Sequence, residues 1–410
     1  MKFGLIGEKL SHSYSALVHR EFGYEYRLKE LKLNELKSFV RSGEFDAFNV
    51  TIPYKKEILA YLDRLDPLAE SLQSVNTVVS ENGLLKGYNT DYRGMEYTLK
   101  RANISLRGKK VMVLGSGGTS SMVCALAKDS GARDIKVVSR TGRVDYTNYH
   151  ILHKDAEIII NTTPVGMFPD NGKSIIDLTL LPAIEGVVEV IYNPLRTALA
   201  MQAEHRGIRT AKGLRLLVAQ AKYARDLFFN EWINDDIIEN VFLKLKKNIS
   251  NLVLIGMPSS GKSTKGRLLA SRTNRKFVDT DRLITEHMGK SIEEIFYTEG
   301  EEYFRTLESK IIADLGQATG QVIATGGGAV LKAENRDALR QNGLIIYVKR
   351  KLENLESRGR PLSKDITALK KMYEVRKPIY ESFANITVSE ENIEECVNQI
   401  EEKINEHFSY

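Results

Sequence analysis

The chain has 410 residues, more than the roughly 250–300 at which a single hydrophobic core stops growing, so at least two cores are expected. Hydrophobic content of 42% and charged content of 27% exclude a disordered or fibrous chain. The net charge of +6 comes without a long Lys/Arg block, which points away from nucleic acid and towards anionic small substrates. No apolar run reaches the roughly 18 residues of a membrane span, so no membrane partner is expected. Cys124 and Cys396 show neither metal-ligand spacing nor a disulfide framework. The start, Met1-Lys-Phe-Gly-Leu-Ile-Gly7, is too short and glycine-rich for a signal peptide, and a reducing cytoplasmic location is the expectation. Nothing in the chain indicates or excludes an oligomer.

The first hundred residues alternate short apolar runs (Phe3–Ile6, Ala47–Ile52, Ser74–Val79) with helical stretches such as Leu31–Arg41, the pattern of an α/β domain. After Arg107, a strand at Val111–Leu114 leads into Gly115-Ser116-Gly117-Gly118-Thr119 and a helix through Ala127. A second strand follows at Asp134–Ser139, which completes the βαβ opening of a dinucleotide fold. Further strands are expected at Ala156–Asn161 and Gly186–Tyr192. Leu214–Glu239 reads as one long helix and Lys244–Asn248 as a short polar hinge. Beyond it, Asn251–Ile255 suits a buried strand, Gly256-Met-Pro258-Ser259-Ser260-Gly261-Lys262-Ser263 a phosphate-binding loop, and Thr264–Ala270 a helix. In that context Lys262 reaches the β/γ-phosphates and Ser263 ligates Mg²⁺. Two glycine-rich phosphate turns imply two independent nucleotide sites.

At the end of the second dinucleotide strand stand Ser139-Arg140-Thr141 and, soon after, Arg143. An acid there suits the ribose 2′-OH of NAD, whereas Arg suits a 2′-phosphate, so Arg140 and Arg143 point to NADP(H). Only about 20 residues separate Arg140 from Asn161, too few for a full crossover helix and strand. A shortened or missing element is expected at the adenosine end of the cofactor site.

Upstream and downstream of that turn lie six ordered clusters. They are Ser11–Ser15, Asn49–Lys55, Ser74–Thr77 leading into Gly87–Asp91, Asn161–Met167, Val190–Pro194 and Gly213–Gln220. Together they resemble shikimate dehydrogenase over about residues 1–240. Ala16 and Leu216 depart from that family's usual Pro and Met. The resemblance implies a substrate domain at 1–105, to which helices near 214–240 return, and an NADP-binding Rossmann domain at 106–213. It also implies that Lys55 relays a proton to the substrate oxygen while Asp91 holds it. Ser13, Ser15 and Thr51 would grip a carboxylate, and Asn76, Tyr192 and Gln220 would pair with ring hydroxyls. Besides Gly115–Thr119 and Ser139–Arg143, the cofactor would touch Thr162, Met167 and Gly213.

In the last third, Phe277–Asp281 reads as a strand end with Asp279 and Asp281 on one face, by period-2 alternation. Gly300–Arg305 with Glu308, Ala324–Ala329 with its three glycines, Arg358-Gly-Arg360-Pro-Leu362, and Arg376–Tyr380 follow. This order resembles shikimate kinase over about residues 250–410. The resemblance implies Mg²⁺ held by Ser263 and Asp279, and ATP held by Pro258–Thr264 with Arg360 closing over it. Asp281 would orient the attacking hydroxyl. Arg305 and Arg376 would clamp the carboxylate bidentately, and Gly326, Gly327 and Gly328 would approach the substrate. By analogy with arginine fingers, loss of Arg360 costs on the order of 10³-fold in rate.

The expected fold is thus α/β: a dehydrogenase substrate domain plus a Rossmann domain, followed by a P-loop kinase domain with a parallel sheet flanked by helices. The expected function is NADPH-dependent reduction of 3-dehydroshikimate, then ATP-dependent phosphorylation of shikimate. Alternatives are a quinate/NAD-type dehydrogenase or a catalytically weak shikimate-binding module in the first half. A gluconate- or nucleoside-type kinase would not need both Arg305 and Arg376.

Overall fold

The structure is a computed structural model that describes residues 1–11, 13–355 and 366–409. The chain divides into two compact units, Met1–Leu245 and Lys246–Tyr410.

The first unit holds two sheets. Strands β1 (Phe3–Gly7), β2 (Arg27–Glu30), β3 (Ala47–Val50), β4 (Arg64–Leu65), β5 (Thr77–Glu81) and β6 (Leu84–Tyr88) form a six-stranded sheet ordered β2-β1-β3-β5-β6-β4. Its β2-β1-β3 half is parallel, while β5 runs antiparallel to both β3 and β6. Helices α1 (Ser15–Glu21), α2 (Leu36–Ser42), α3 (Pro67–Leu72) and α4 (Thr90–Arg101) accompany it. Apolar side chains such as Ile6, Leu36, Phe48, Tyr54 and Val78 pack into one core there.

The second sheet is fully parallel, ordered β11-β10-β9-β7-β8. Its strands are β7 (Lys110–Leu114), β8 (Asp134–Val138), β9 (Ile158–Asn161), β10 (Gly186–Glu189) and β11 (Arg209–Ala211), with α5 (Gly118–Asp129), α6 (Tyr149–Leu152) and α7 (Ala198–His205) between them. The central strands are near-continuous Val/Ile/Leu runs, as burial on both faces requires. The chain leaves β7 in one direction for β8 and returns on the other side as β9. That reversal is a topological switch point, where ligands bind at the strands' carboxyl ends.

Helix α8 (Gly213–Phe229) then packs against α4, α1, β3 and β5, so it returns to the first sheet as expected. The approach is close: a Cβ on Gly94 of α4 would stand 3.0 Å from the backbone nitrogen of Gln220. The helix expected at Leu214–Glu239 is two helices. α8 stops at Asn230, which takes a left-handed conformation (φ 48°), and α9 (Asp236–Ile249) starts anew. Helix α9 also absorbs residues 244–248, so the expected hinge is helical.

The second unit is a five-stranded parallel sheet, β13-β14-β12-β15-β16. It comprises β12 (Asn251–Ile255), β13 (Lys276–Asp279), β14 (Gln321–Ala324), β15 (Gly343–Val348) and β16 (Ile386–Val388). Its helices are α10 (Lys262–Arg272), α11 (Thr280–Met288), α12 (Ile292–Thr298), α13 (Gly300–Gln317), α14 (Ala333–Asn342), α15 (Ile366–Phe383) and α16 (Ile393–His407). Cores on both faces of this sheet, around Leu254/Ile346/Val397 and Ile255/Ile323/Tyr380, fix β12 at the centre. Among the described residues no helix is long and apolar enough to cross a membrane.

Two candidate active sites

In the first unit the segment after β3 turns at Thr51 and anchors Tyr54, which is fully buried and donates to the Leu31 carbonyl at 2.5 Å. That anchor leaves the next side chain, Lys55, facing α4. Asn89 caps α4 by accepting from the Tyr92 amide, which sets Asp91 in the first turn. Lys55 Nζ and Asp91 Oδ2 meet at 2.6 Å, each side chain 18% exposed: sheltered, yet reachable by a ligand.

Around this pair the expected polar groups divide into two kinds. Ser13 Oγ donates to Ser15 Oγ at 3.1 Å and accepts from the Ser15 amide. The Tyr192 hydroxyl, from the segment after β10, also bonds Ser13, and burial raises its pKa. Tyr192 thus joins the two sheets' polar rims. Thr51 is half-buried and open to a ligand. Asn76, by contrast, is spent on architecture. Its oxygen accepts from the Thr90 amide at 2.7 Å and its amide donates to Thr90 Oγ1 at 3.0 Å, which leaves one N–H for a ring hydroxyl. Gln220 is buried and donates to its own helix at Leu217.

The dinucleotide turn shows glycine used in two ways. A Cβ on Gly115 (φ 104°) would press on Thr162 Oγ1 at 2.9 Å, and one on Gly213 would lie 2.4 Å from the carbonyls of Val190 and Ile191. At Gly117 and Gly118 a Cβ would meet nothing within 4 Å. Gly117 caps the 12-residue α5, so bare amides face open space at a helix N-terminus, a cradle that fits a pyrophosphate. Ser116, Arg140, Thr141, Arg143 and Met167 are exposed and Thr119 half-buried, while Ser139 is buried at the end of β8. Arg140 lies near the Tyr146 hydroxyl, which bonds the Val138 carbonyl. The short connection is accounted for: only the four-residue α6 lies between β8 and β9, and β8 is the sheet's edge. The position that a six-stranded dinucleotide sheet fills beyond that strand holds no strand among the described residues.

In the second unit β12 ends in the phosphate loop, with Ser259 (φ 61°) and Gly261 (φ 85°) in left-handed conformations that turn amides inward. Arg350 holds the Ser259 carbonyl at 2.7 Å. Lys262 Nζ bonds the loop carbonyls of Gly256 and Met257 at 3.0 and 2.8 Å. Ser260 Oγ is buried without a hydrogen-bond partner among the described residues, a mark of a loop shaped for an oxygen-rich ligand. Pro258 is buried against Gly327, and Thr264 is exposed.

Ser263 Oγ donates to Asp279 Oδ2 at 2.5 Å. A hydroxyl and a carboxylate at a phosphate loop are hard oxygen donors of the kind Mg²⁺ takes, and Ser263 and Asp279 would hold it here. The alternation argument for Asp279 and Asp281 does not hold. Strand β13 stops at Asp279, which caps α11 by accepting from the amides of Asp281 and Arg282, and Asp281 lies in the helix's first turn. Asp281 still reaches the site, since a Cβ on Gly326 would stand 2.6 Å from its Oδ1.

The same glycine faces Glu308 Oε1, and Gly328 lies against the Arg305 guanidinium. Arg305 bonds Glu308 at 2.7 Å. Arg376 is buried, and that burial lowers its pKa, with Tyr380 opposing and Arg305 adding to the shift. Tyr380 in turn donates to the Gly327 carbonyl at 2.5 Å. Two guanidiniums and Asp281 therefore cluster about the triple-glycine turn. Arg358, Arg360 and Leu362 lie outside the described residues.

Sequence reasoning noted Glu308 beside Arg305 without giving it a site role, and it passed over Glu189. Glu308 is 1% exposed with Oε1 unpartnered among the described residues, and burial raises its pKa. Glu189 is 2% exposed. Its signal was a single acid inside the otherwise apolar run Gly186–Ile191.

Comparison with known proteins supplies two family matches: a shikimate dehydrogenase substrate binding domain over residues 5–78 and a shikimate kinase over residues 258–405. The shikimate dehydrogenase (NADP(+)) of Caldanaerobacter subterraneus subsp. tengcongensis is 36% identical over 264 residues, 58% of this chain and 94% of that one. Among solved structures, shikimate dehydrogenase 1 from Peptoclostridium difficile superposes with a TM-score of 0.56 at 32% identity, covering 60% of this chain and 98% of that one. A chorismate mutase/shikimate 5-dehydrogenase fusion protein from Clostridium acetobutylicum gives 0.57 at 32% identity, covering 60% and 97%.

Proposed function

Because the chain belongs to the shikimate dehydrogenase family and carries a shikimate kinase domain at its C-terminus, we propose that it catalyses two successive reactions on one carbocyclic acid. The first is reduction of 3-dehydroshikimate by NADPH; the second is transfer of a phosphoryl group from ATP to shikimate. The observation that carries this reading is the coexistence, in one polypeptide, of the Lys55–Asp91 pair and the Asp281/Arg305/Arg376 cluster in the unit that holds the phosphate loop.

In the first site NADPH supplies the hydride to the ketone carbon. The Lys55 ammonium stabilises the oxygen as it gains charge and delivers the proton. Asp91, at 2.6 Å, keeps that ammonium oriented and can accept from a neighbouring substrate hydroxyl. Ser13, Ser15 and Thr51 offer neutral hydroxyls to the carboxylate, so no second full charge is buried, and Tyr192 closes over them. In the second site Lys262 and Ser263 meet the phosphates, with Mg²⁺ held through Ser263 and Asp279. Asp281 orients the attacking hydroxyl while Arg305 and Arg376 hold the carboxylate by charge-assisted bonds. Transfer then depends on alignment and charge neutralisation.

Arg140 and Arg143 beside the dinucleotide turn support NADP(H) over NAD. The substrates are small molecules; the chain's surface chemistry gives no reason to add nucleic acid or a membrane. The cofactor needs and the unpaired Cys124 and Cys396 support a cytoplasmic site of action.

The test is a pair of assays on the purified full chain: dehydroshikimate-dependent NADPH oxidation and shikimate-dependent ADP release. Lys55→Ala should abolish the first alone and Lys262→Ala the second alone, each by at least about 10³-fold. Survival of either reaction in its own variant overturns the assignment.

A further inference from the structure

Glu189 ends β10 in register with Asn161 at the end of β9, at the switch-point end of the dinucleotide sheet. Its two oxygens accept from Asn161 Nδ2 at 3.0 Å each. Oε1 also accepts from the Ile191 amide at 3.2 Å, and Oε2 from Thr197 Oγ1 at 2.9 Å. Every one of these partners is a neutral donor. Asn161 then passes the constraint outward, because its Oδ1 accepts from the Thr163 amide at 3.0 Å and from Thr163 Oγ1 at 2.7 Å. Thr163 lies against Gly115 and also accepts from the Val165 amide. On the other side, Ile191 precedes Tyr192, and its carbonyl sets the close approach of Gly213. Thr197 caps α7.

We infer that Glu189 is a positioning residue of the dehydrogenase reaction: its carboxylate clasps the segments after β9 and β10, and so sets Thr162, Met167, Tyr192 and Gly213 around the reacting end of the dinucleotide. This rests on the dehydrogenase function proposed above. A carboxylate is suited to the task because it accepts at both oxygens and donates at neither. An amide in its place would turn an NH₂ group towards Asn161 Nδ2 in either orientation, donor against donor, because that nitrogen bonds both carboxylate oxygens. The 2′-phosphate and pyrophosphate contacts lie elsewhere, at Arg140 and Gly117–Gly118. Opening the clasp therefore disturbs alignment for hydride transfer more than affinity for the cofactor.

The experiment uses the full chain at about pH 8, where the carboxyl is ionised. In Glu189→Gln, kcat for dehydroshikimate reduction should fall roughly 30-fold while KM for NADPH stays within about threefold, the signature of lost alignment. Glu189→Asp keeps an acceptor-only group and should recover to within about fivefold of the unsubstituted enzyme. The milder Thr197→Val removes one donor and should lower kcat about threefold at unchanged KM. Shikimate-dependent ADP release by the same preparations should be unaltered. A Gln variant that unfolds at lower temperature with kcat intact overturns the inference. So does a rise in the KM for NADPH alone, an Asp variant as slow as Gln, or a Thr197→Val variant with unchanged kcat. An unsubstituted enzyme without dehydroshikimate-dependent oxidation would instead count against the function itself.

Discussion

A buried acid ringed by neutral donors carries an opposed pair of effects. Burial pushes the Glu189 carboxyl up to about 7 from 4.5, against hydrogen bonds from Asn161, Ile191 and Thr197 that pull it down. Since the folded value is raised, folding favours the protonated acid. The corresponding stability is complete below about pH 4.5 and is lost as pH rises through about 7, a change on the order of 3 kcal/mol. Urea midpoints of the first unit should decline between pH 5 and 8, and the decline should be shallower in Glu189→Gln; parallel slopes would contradict the assignment. The ionised form that best clasps the two segments is thus the one the fold least favours. Such residues are hard to see in a sequence. Lys55 and Asp91 were legible because each sits in a polar cluster within an ordered series, whereas Glu189 lies in an apolar strand. Asp281 was expected at the triple-glycine turn, and it lies there for a different local reason. Alternation assumes a strand, but Asp279 caps a helix there and Asp281 belongs to its first turn.

Elements were read well where apolar periodicity was strong and poorly where a break lacked Gly or Pro. The strands given bounds from the sequence stand within three residues of them at each end, while β11, β15 and β16 were passed over. The break between α8 and α9 escaped because Asn230 makes it, taking a left-handed C-cap that satisfies the carbonyls of Asp226 and Leu227. Strands β2, β4 and β6 escaped because they are short and mostly not buried. The abbreviated α6 followed from chain length alone, and it has a functional corollary. With β8 at the edge, no further strand among the described residues flanks that side of the sheet, and on the proposed reading 2′-phosphate recognition falls on Arg140 and Arg143. Arg140→Ala should raise KM for NADPH about tenfold or more, leave kcat nearly unchanged, and leave KM for NADH alone. Steady-state kinetics with both dinucleotides decides it; equal losses for the two would remove Arg140 from the 2′-phosphate.

For the molecule as a whole, each apolar cluster described draws its residues from one unit, so each unit has a core of its own. Two heat-absorption steps are therefore expected in calorimetry. NADP⁺ should stabilise only one, and Mg²⁺-ATP only the other, each by about 2.7 kcal/mol at a hundredfold excess over Kd. A single transition moved by both ligands would argue against independent cores. The abbreviated dinucleotide sheet has one more outcome at this scale. Its outermost strand offers a row of backbone groups to any passing extended segment, the arrangement from which fibrous aggregates grow. Asp134 and Lys136, paired at 3.1 Å along that rim, place charge of both signs there. A domain that dispenses with its terminal strand must keep intruders off its flank with side chains alone, and this one does so with an acid and a base two positions apart.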